Sequence, residues 1–536
     1  MSRAWLDRLD LWKSRFGQTG DGQLERLLSQ LARRAVRDPQ SLIRLHETLL
    51  FLRAYPRSAE VARLADEILF SFADRIADDV DPFEAPEVSG IAGTSLTAVF
   101  SYEVARRLAA RYPRAVEIAW DRYDEPDRMG NVIRRFLPML DEDFPVEAHV
   151  PFQQWIAQAH DRRSSDLAWL LERLAAFESG DRARAELFES MQVPLTWRMG
   201  VSRASRSRLR LAVRSLYLHR EPLLRRSDVS LAHELNTAPL PIRRLARPAA
   251  GRILDLILDT SAMRYRELYG FSHPEETRVF HAAAGRGVDI YFFGLPPEWR
   301  LPLRAYHAGM FFKNGVPAGY VELLSLFERA EVGFNLYYTF REGESAWLYA
   351  RLLRLFRQVL GVTCFSVDPY QIGHENPEAV DSGAFWFYRK LGFRATNAEV
   401  ARLVEREEAR MRQTPGYRSS RRTLERLAEG YILYEMPGTE SGDWDHFSIR
   451  TLAQKLQRRG KLPSPKPTGL ESRHLCSTQK DARLRAEWLK LGQEKRLFDD
   501  VLNARESVFV KKAEREMHEG KSVSLAELHR ALDRKR

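Results

Sequence analysis

Cysteine is nearly absent from this chain of 536 residues, with Cys364 and Cys476 the only two. One of them falls in a segment that reads as a buried strand, so neither a disulfide framework nor a cysteine metal site is expected. Long apolar runs are missing as well. No window approaches eighteen uninterrupted apolar residues, so no membrane span is expected. The first residues, Met1-Ser-Arg-Ala-Trp-Leu-Asp-Arg, are charged and lack the apolar core of a signal peptide, which points to the cytoplasm. Gly90-Ile-Ala-Gly-Thr-Ser95 has the small residues of a phosphate loop but not its lysine, and reads as a helix start.

What is present bounds the organisation. Hydrophobic residues make up 44% of the chain, enough for an ordinary globular interior, and the length predicts two or three domains. From about Gln23 to Glu178 the apolar period is helical. Leu24, Leu27, Leu28 and Leu31 share one face, and Leu42 to Leu52, Val61 to Phe72 and Leu167 to Phe177 repeat the pattern. Breaker clusters such as Asp79 to Pro86 separate them, and no fixed period emerges. A large all-α region over 1–190, a bundle or an irregular array, is therefore expected.

Residues 191–287 read as an arginine-rich helical connector. Between Arg198 and Arg252 lie thirteen arginines against Glu221, Asp228 and Glu234. Such a belt attracts an acidic partner or a nucleic acid such as tRNA. Trp197 and Tyr217 are its main aromatics, too few for a platform that stacks single strands. Residues 438–536 hold 22 Lys and Arg against 15 Asp and Glu. They read as a basic helical tail, with a proline-rich linker at Leu462 to Gly469 and helices over Asp481 to Leu502 and Ser524 to Asp533.

The stretch 288–437 changes period. Val288 to Gly294 reads as a strand and the first of a sheet, followed by a proline-broken connector, Leu295 to Pro302. Met310 to Leu324 reads as two strands joined by an Asn314-Gly315 turn, a strong hairpin signal. A third strand follows at Val332 to Phe340. Then come a turn at Arg341 to Ser345, an apolar helix from Ala346 to Leu360, a strand from Gly361 to Asp368 and a long loop from Pro369 to Glu378. In Asp381-Ser-Gly-Ala-Phe-Trp-Phe-Tyr-Arg-Lys-Leu-Gly-Phe393, Ala384, Phe385, Tyr388 and Leu391 recur at helical spacing. Tyr388 thus lies on the inward face with its phenol as the only polar atom, and Gly392 suits the left-handed residue that closes a helix. Helices over Ala398 to Arg412 and Ser420 to Glu429 precede a last strand, Gly430 to Met436.

This element order, with Asp381, Ala384, Tyr388, Gly392 and Phe393, resembles the GNAT acyltransferases over about residues 288–436. Asp381 stands where that family usually has asparagine, and the helices from 398 to 429 read as an insertion. The resemblance implies an α+β fold, a GNAT-like mixed sheet flanked by helices. It also implies an acyl-CoA-dependent N-acyltransferase, moving an acetyl or longer acyl group from CoA to an amine. Tyr388 would be the general acid that protonates the departing thiolate, and the base would be Glu322, Asp368, His374 or Glu375, or a water chain. The donor's phosphates would lie at Arg341, Gly343, Ser345 and Ala346, where a loop enters a helix N-terminus, with Glu342 and Glu344 adding negative charge nearby. Its pantetheine arm would pair with the strand at Leu336, Tyr337 and Tyr338. Asp381, capping the next helix, and Ala384 would border the cofactor. Two other functions suit the same shape: a binding scaffold without turnover, and an acyltransferase that takes its donor from aminoacyl-tRNA.

Overall fold

The computed structural model describes residues 2–439 together with Trp444 and Asp445, except 14, 17–20, 35, 37, 77–82, 84–87, 136–149, 161–163, 201, 266–267, 297–298, 300–304 and 327. Nearly all of the basic tail, including its linker and two helices, most of the Asp79 to Pro86 cluster and most of the Leu295 to Pro302 connector therefore lie outside the described residues. Among the described residues no helix is long and apolar enough to cross a membrane. The chain divides into two compact units.

The first unit comprises Met1–Pro222, Arg252–Ser272 and Asn314–Pro317. Its helices begin where the sequence supplies caps. Asp38 accepts from the Ser41 amide at 2.8 Å ahead of Pro39–Ala54, and Ser58 accepts from the Val61 amide at 3.1 Å ahead of Ala59–Phe70. The expectation of an all-helical region over 1–190 is corrected here. An antiparallel sheet of order β1-β3-β2 is built from β1 (Ser95–Val99), β2 (Val116–Ile118) and β3 (Pro194–Arg198). These strands are short, and two of them sit between stronger helical periods, which hid them. Trp197 of the central strand is fully buried and closes a core with Tyr102, Leu170 and Phe188 from the flanking helices. Gly90–Ser95 starts no helix. It turns through Gly90 and Gly93, at φ +88° and +91°, into β1.

The second unit comprises Leu223–Gly251, His273–Lys313 and the described residues from Ala318 onward. Among the described residues its sheet has nine strands in the order β11-β12-β10-β9-β8-β7-β6-β5-β4. They are β4 (Ile242–Arg244), β5 (Val279–Gly285), β6 (Val288–Gly294), β7 (Ala305–Lys313), β8 (Val316–Leu326), β9 (Arg329–Leu336), β10 (Cys364–Val367), β11 (Arg394–Ala395) and β12 (Ile432–Glu435). Asn314 and Gly315 both take positive φ, +48° and +80°, as a tight two-residue turn between β7 and β8 requires.

Val288–Gly294 is thus the third strand of this sheet and not the first. The 191–287 stretch, expected as a helical connector, contributes β3, β4 and β5 alongside the helices Leu231–Leu235, Arg247–Tyr265 and Tyr269–Ser272. The third expected strand is also shorter than its apolar run. It ends at Leu336, and Tyr338–Phe340 form a 3-10 turn. Among the described residues β9 and β10 run parallel around the crossover helix Ser345–Leu360, whereas β4–β5, β5–β6, β6–β7, β8–β9, β10–β12 and β11–β12 pair antiparallel. The long loop after β10 holds two short helices, Pro369–Ile372 and Pro377–Asp381.

Candidate functional site

The parallel step is where the sheet opens. Strand β9 pairs with β10 only from Arg329 to Glu331, against Cys364 to Ser366. β9 then continues to Leu336, whereas β10 ends at Val367. Beyond Glu331 the ladder with β10 lapses and leaves a gap in the pairing there, while 332–336 stay paired with β8 on the other side. Side chains alternate along β9, so Gly333 and Phe334 look to opposite faces of the sheet.

On the Phe334 face the gap is floored by aromatic rings. Tyr349, from the crossover helix, packs on Phe334 with centroids 5.0 Å apart and on Tyr388 at 5.4 Å in an edge contact. Phe387 and Phe393 complete the cluster, Phe393 lying 5.7 Å from Tyr388. Tyr388 stands on the helix Ala384–Arg389, where Phe385, Tyr388 and then Leu391 are buried and Ala384 is half-buried, as the spacing predicts. Gly392, at φ +105°, turns the chain into Phe393. Burial alone pushes the Tyr388 phenol well above its ordinary range, since no partner hydrogen bond opposes it.

The other face carries a carboxylate. Glu322 of β8 is the register partner of Gly333, and a Cβ built on Gly333 would lie 3.9 Å from the Glu322 Cβ and 4.0 Å from Gln371 Nε2. The half-buried Glu322 accepts a hydrogen bond from the Tyr306 hydroxyl. Glu322 and Tyr388 therefore flank the same stretch of β9 from opposite faces.

Asp368 and His374 are placed differently. Asp368 caps Pro369–Ile372, accepting from the Tyr370 amide at 2.9 Å. His374 and Glu375 are exposed and line a separate cleft of about 440 Å³ with Arg421, Arg422 and Arg426. Asp381 does not cap the Tyr388 helix. It ends the preceding helix, its exposed carboxylate pairs with Arg421 at 2.8 Å, and the cap position belongs to Gly383 at φ +67°. With two short helices filling the loop, the chain turns through glycine and has no need of an aspartate cap.

At the expected phosphate turn, Leu336 ends β9, Tyr337 is buried, and Tyr338 lies in the 3-10 turn. Gly343 donates its amide to the Phe340 carbonyl at 2.9 Å. Ser345 and Ala346 open the crossover helix, whose cap position, Glu344, makes no side-chain cap. Its carboxylate is buried instead against Arg286 and Lys313, 3.5 Å from Lys313 Nζ. Arg286 and the buried Lys313 amine thus both face Glu344 beside the helix start, and the charge of Glu344 is spent internally. Burial pulls Lys313 down to about 7 despite Glu344. Arg341, exposed, pairs with Glu378.

Much of the arginine belt is also engaged. Arg198 pairs with Glu117, Arg206 with Glu47 and Arg210 with Asp66, and Arg226 and Arg244 donate to the carbonyls of Lys390 and Thr277. Among the described residues no group of three or more His, Cys, Asp or Glu is arranged to hold a metal ion.

Arg286, Lys313 and Tyr349 carry no sequence motif. The first two meet Glu344 from distant segments, and Tyr349 reads as one more apolar position of a buried helix. Its only signal is a phenol on that helix's inward face. Comparisons with protein-family models, curated proteins and solved structures found no match.

Proposed function

We propose that the second unit is an acyl-CoA-dependent N-acyltransferase of the GNAT kind, its chemistry centred on the gap between β9 and β10. The observation that carries this reading is the β9–β10 pairing that lapses after Glu331 while the Tyr388 phenol lies among the rings beneath the stretch that follows. A pantetheine arm is a chain of amides, and a strand side that has left its ladder is where such a chain can add. The start of the crossover helix, which has no side-chain cap and whose nearest carboxylate, Glu344, is matched by Arg286, favours the donor's phosphates at that end.

In this reading the amine nitrogen attacks the thioester carbonyl carbon. The C–S pair leaves on sulfur, and Tyr388 protonates the thiolate. Glu322 is the preferred base, because its register partner Gly333 lies on the stretch of β9 that Tyr388 underlies from the other face, whereas Asp368 is engaged as a helix cap and His374 and Glu375 line another cleft.

Calorimetry with acetyl-CoA and longer acyl-CoAs tests the reading. Saturable binding is expected, and Tyr388→Phe should lower turnover by about 10²-fold or more with donor affinity unchanged. Absence of binding at millimolar donor would overturn the acyl-CoA form of the reading and leave a non-catalytic scaffold or an acyltransferase that takes its donor from aminoacyl-tRNA.

A further inference from the structure

Tyr349 occupies the second turn of the crossover helix and is walled in by Phe334, Phe387, Tyr388 and Phe393, with ring centroids 5.0, 6.1, 5.4 and 6.2 Å away. It is fully buried, and its hydroxyl makes no hydrogen bond among the described residues. A phenol O–H moved from water into a shell of rings without an acceptor works against folding. Phenylalanine would keep every ring contact and remove that penalty. The hydroxyl therefore has no evident structural use, and of the four rings packed around Tyr349 only Tyr388 carries a second phenol.

We propose that the Tyr349 hydroxyl is a positioning group for Tyr388, donating a hydrogen bond to the Tyr388 oxygen as that oxygen gives up its proton. This rests on the acyltransferase reading. When the C–S bond breaks, the electron pair goes to sulfur, and the Tyr388 proton follows it. Tyr388 is left as a phenolate, which is neutralised when the amine's proton, taken up first by Glu322, passes to it through water.

A phenolate among Phe387, Phe393 and Tyr349 has a single side chain of that cluster able to donate to it. A hydrogen bond that is weak to a neutral phenol and strong to a phenolate favours the transition state over the ground state. Burial, and then the neighbouring Tyr388, push the Tyr349 phenol well up, so it remains a donor at any working pH. The missing acceptor in the resting structure is then the mark of a group held ready for charge that appears only during reaction.

The test compares Tyr349→Phe, Tyr388→Phe and the double variant in the full chain. Tyr349→Phe should leave the thermal midpoint unchanged or raised and donor affinity by calorimetry unchanged, while lowering kcat about 10²-fold at constant KM. In the double variant the loss should not exceed that of Tyr388→Phe, because one hydroxyl acts through the other. An unchanged kcat, losses that multiply in the double variant, or a lowered midpoint would each overturn the proposal. A wild-type protein that binds no acyl-CoA sinks the acyltransferase reading and this inference together. One that turns over but is indifferent to Tyr349→Phe sinks the inference alone.

Discussion

Lys313 and Glu344 are 2% exposed apiece and lie 3.5 Å apart, a lysine at the end of β7 paired with the cap residue of the crossover helix. Lys313 also donates to the Arg286 carbonyl, and the Arg286 guanidinium shares the Glu344 carboxylate. Burial dominates, taking Lys313 from an ordinary 10.5 to about 7. Between those values the unfolded chain binds a proton that the native one lacks, so stability should rise with pH across the window. Below about 7 both states are protonated and the penalty is present in full. Each unit of displacement is worth about 1.4 kcal/mol. Lys313→Met should therefore be the more stable protein at pH 7, by a few kcal/mol at most, and the difference should narrow toward pH 10. Urea unfolding at pH 7, 8, 9 and 10 reads this directly; parallel profiles would remove Lys313 as the source.

A second buried network lies in the first unit and imitates a catalytic triad. The Glu47 carboxylate accepts from His46 Nδ1 at 3.0 Å, and His46 Nε2 accepts in turn from the Ser207 hydroxyl at 2.9 Å. That tautomer follows because a carboxylate can only accept. Ser207 and His46 are fully buried, however, and Arg206 holds both oxygens of Glu47 at 2.8 and 3.0 Å. Glu47→Gln would leave the Arg206 cation buried and unmatched, and should lower stability by about 3–5 kcal/mol. A fluorophosphonate probe should leave Ser207 unlabelled. Burial takes His46 down to about 4, so the native state keeps it neutral while the unfolded chain protonates near 6.5. Stability from this group is complete above 6.5 and is lost as pH falls toward 4, which a series of thermal midpoints would register.

Gly319 of β8 is fixed by space. A Cβ there would approach the Asn335 carbonyl oxygen and the Phe311 ring closer than 3.0 Å, and neither a strand carbonyl nor a stacked ring can retreat freely. Gly319→Ala should destabilise by about 1–3 kcal/mol, and it should do so by disturbing β9 at its open end. If the gap is the donor site, donor affinity in this variant falls along with the midpoint of unfolding. A stable variant with intact affinity would show that the strands part easily at this point.

The sequence made the centre of the second unit readable because its signals there are local. Asn314-Gly315 demands a tight turn, the apolar run from Ala346 demands a helix, and Tyr388 falls on the inward face by spacing alone. Strands β1 to β5 were misread or missed because three to seven residues with few breakers, set among helical periods, do not announce a partner far away in sequence. Gly319, by contrast, gives no hint in sequence of the ring and carbonyl that confine it. Asp381 misled for a related reason. A cap residue is recognised by position, but the position was set by Gly383, whose left-handed conformation the sequence leaves optional. The Arg286, Lys313 and Glu344 cluster joins a turn, a strand end and a helix start, and only the sheet's topology brings those together.

Arg341 offers the sharpest separation of stability from binding. Its ion pair with Glu378 is exposed on both sides, 41% and 71%, so solvent screens it and the pair should contribute about 0–1 kcal/mol. Arg341→Ala should thus leave urea unfolding nearly untouched. The acyl-CoA reading gives the same guanidinium a second partner, because a donor phosphate at the start of the crossover helix carries more charge than one carboxylate and can draw Arg341 away from Glu378. Donor affinity should then fall roughly tenfold, with kcat at saturation unaffected. Glu378→Gln should do the reverse, freeing Arg341 and tightening the donor, with the gain shrinking as salt is added. If both variants bind donor as wild type does, Arg341 takes no part in holding phosphate, and the uncapped helix start must do so with Arg286 and Lys313 alone.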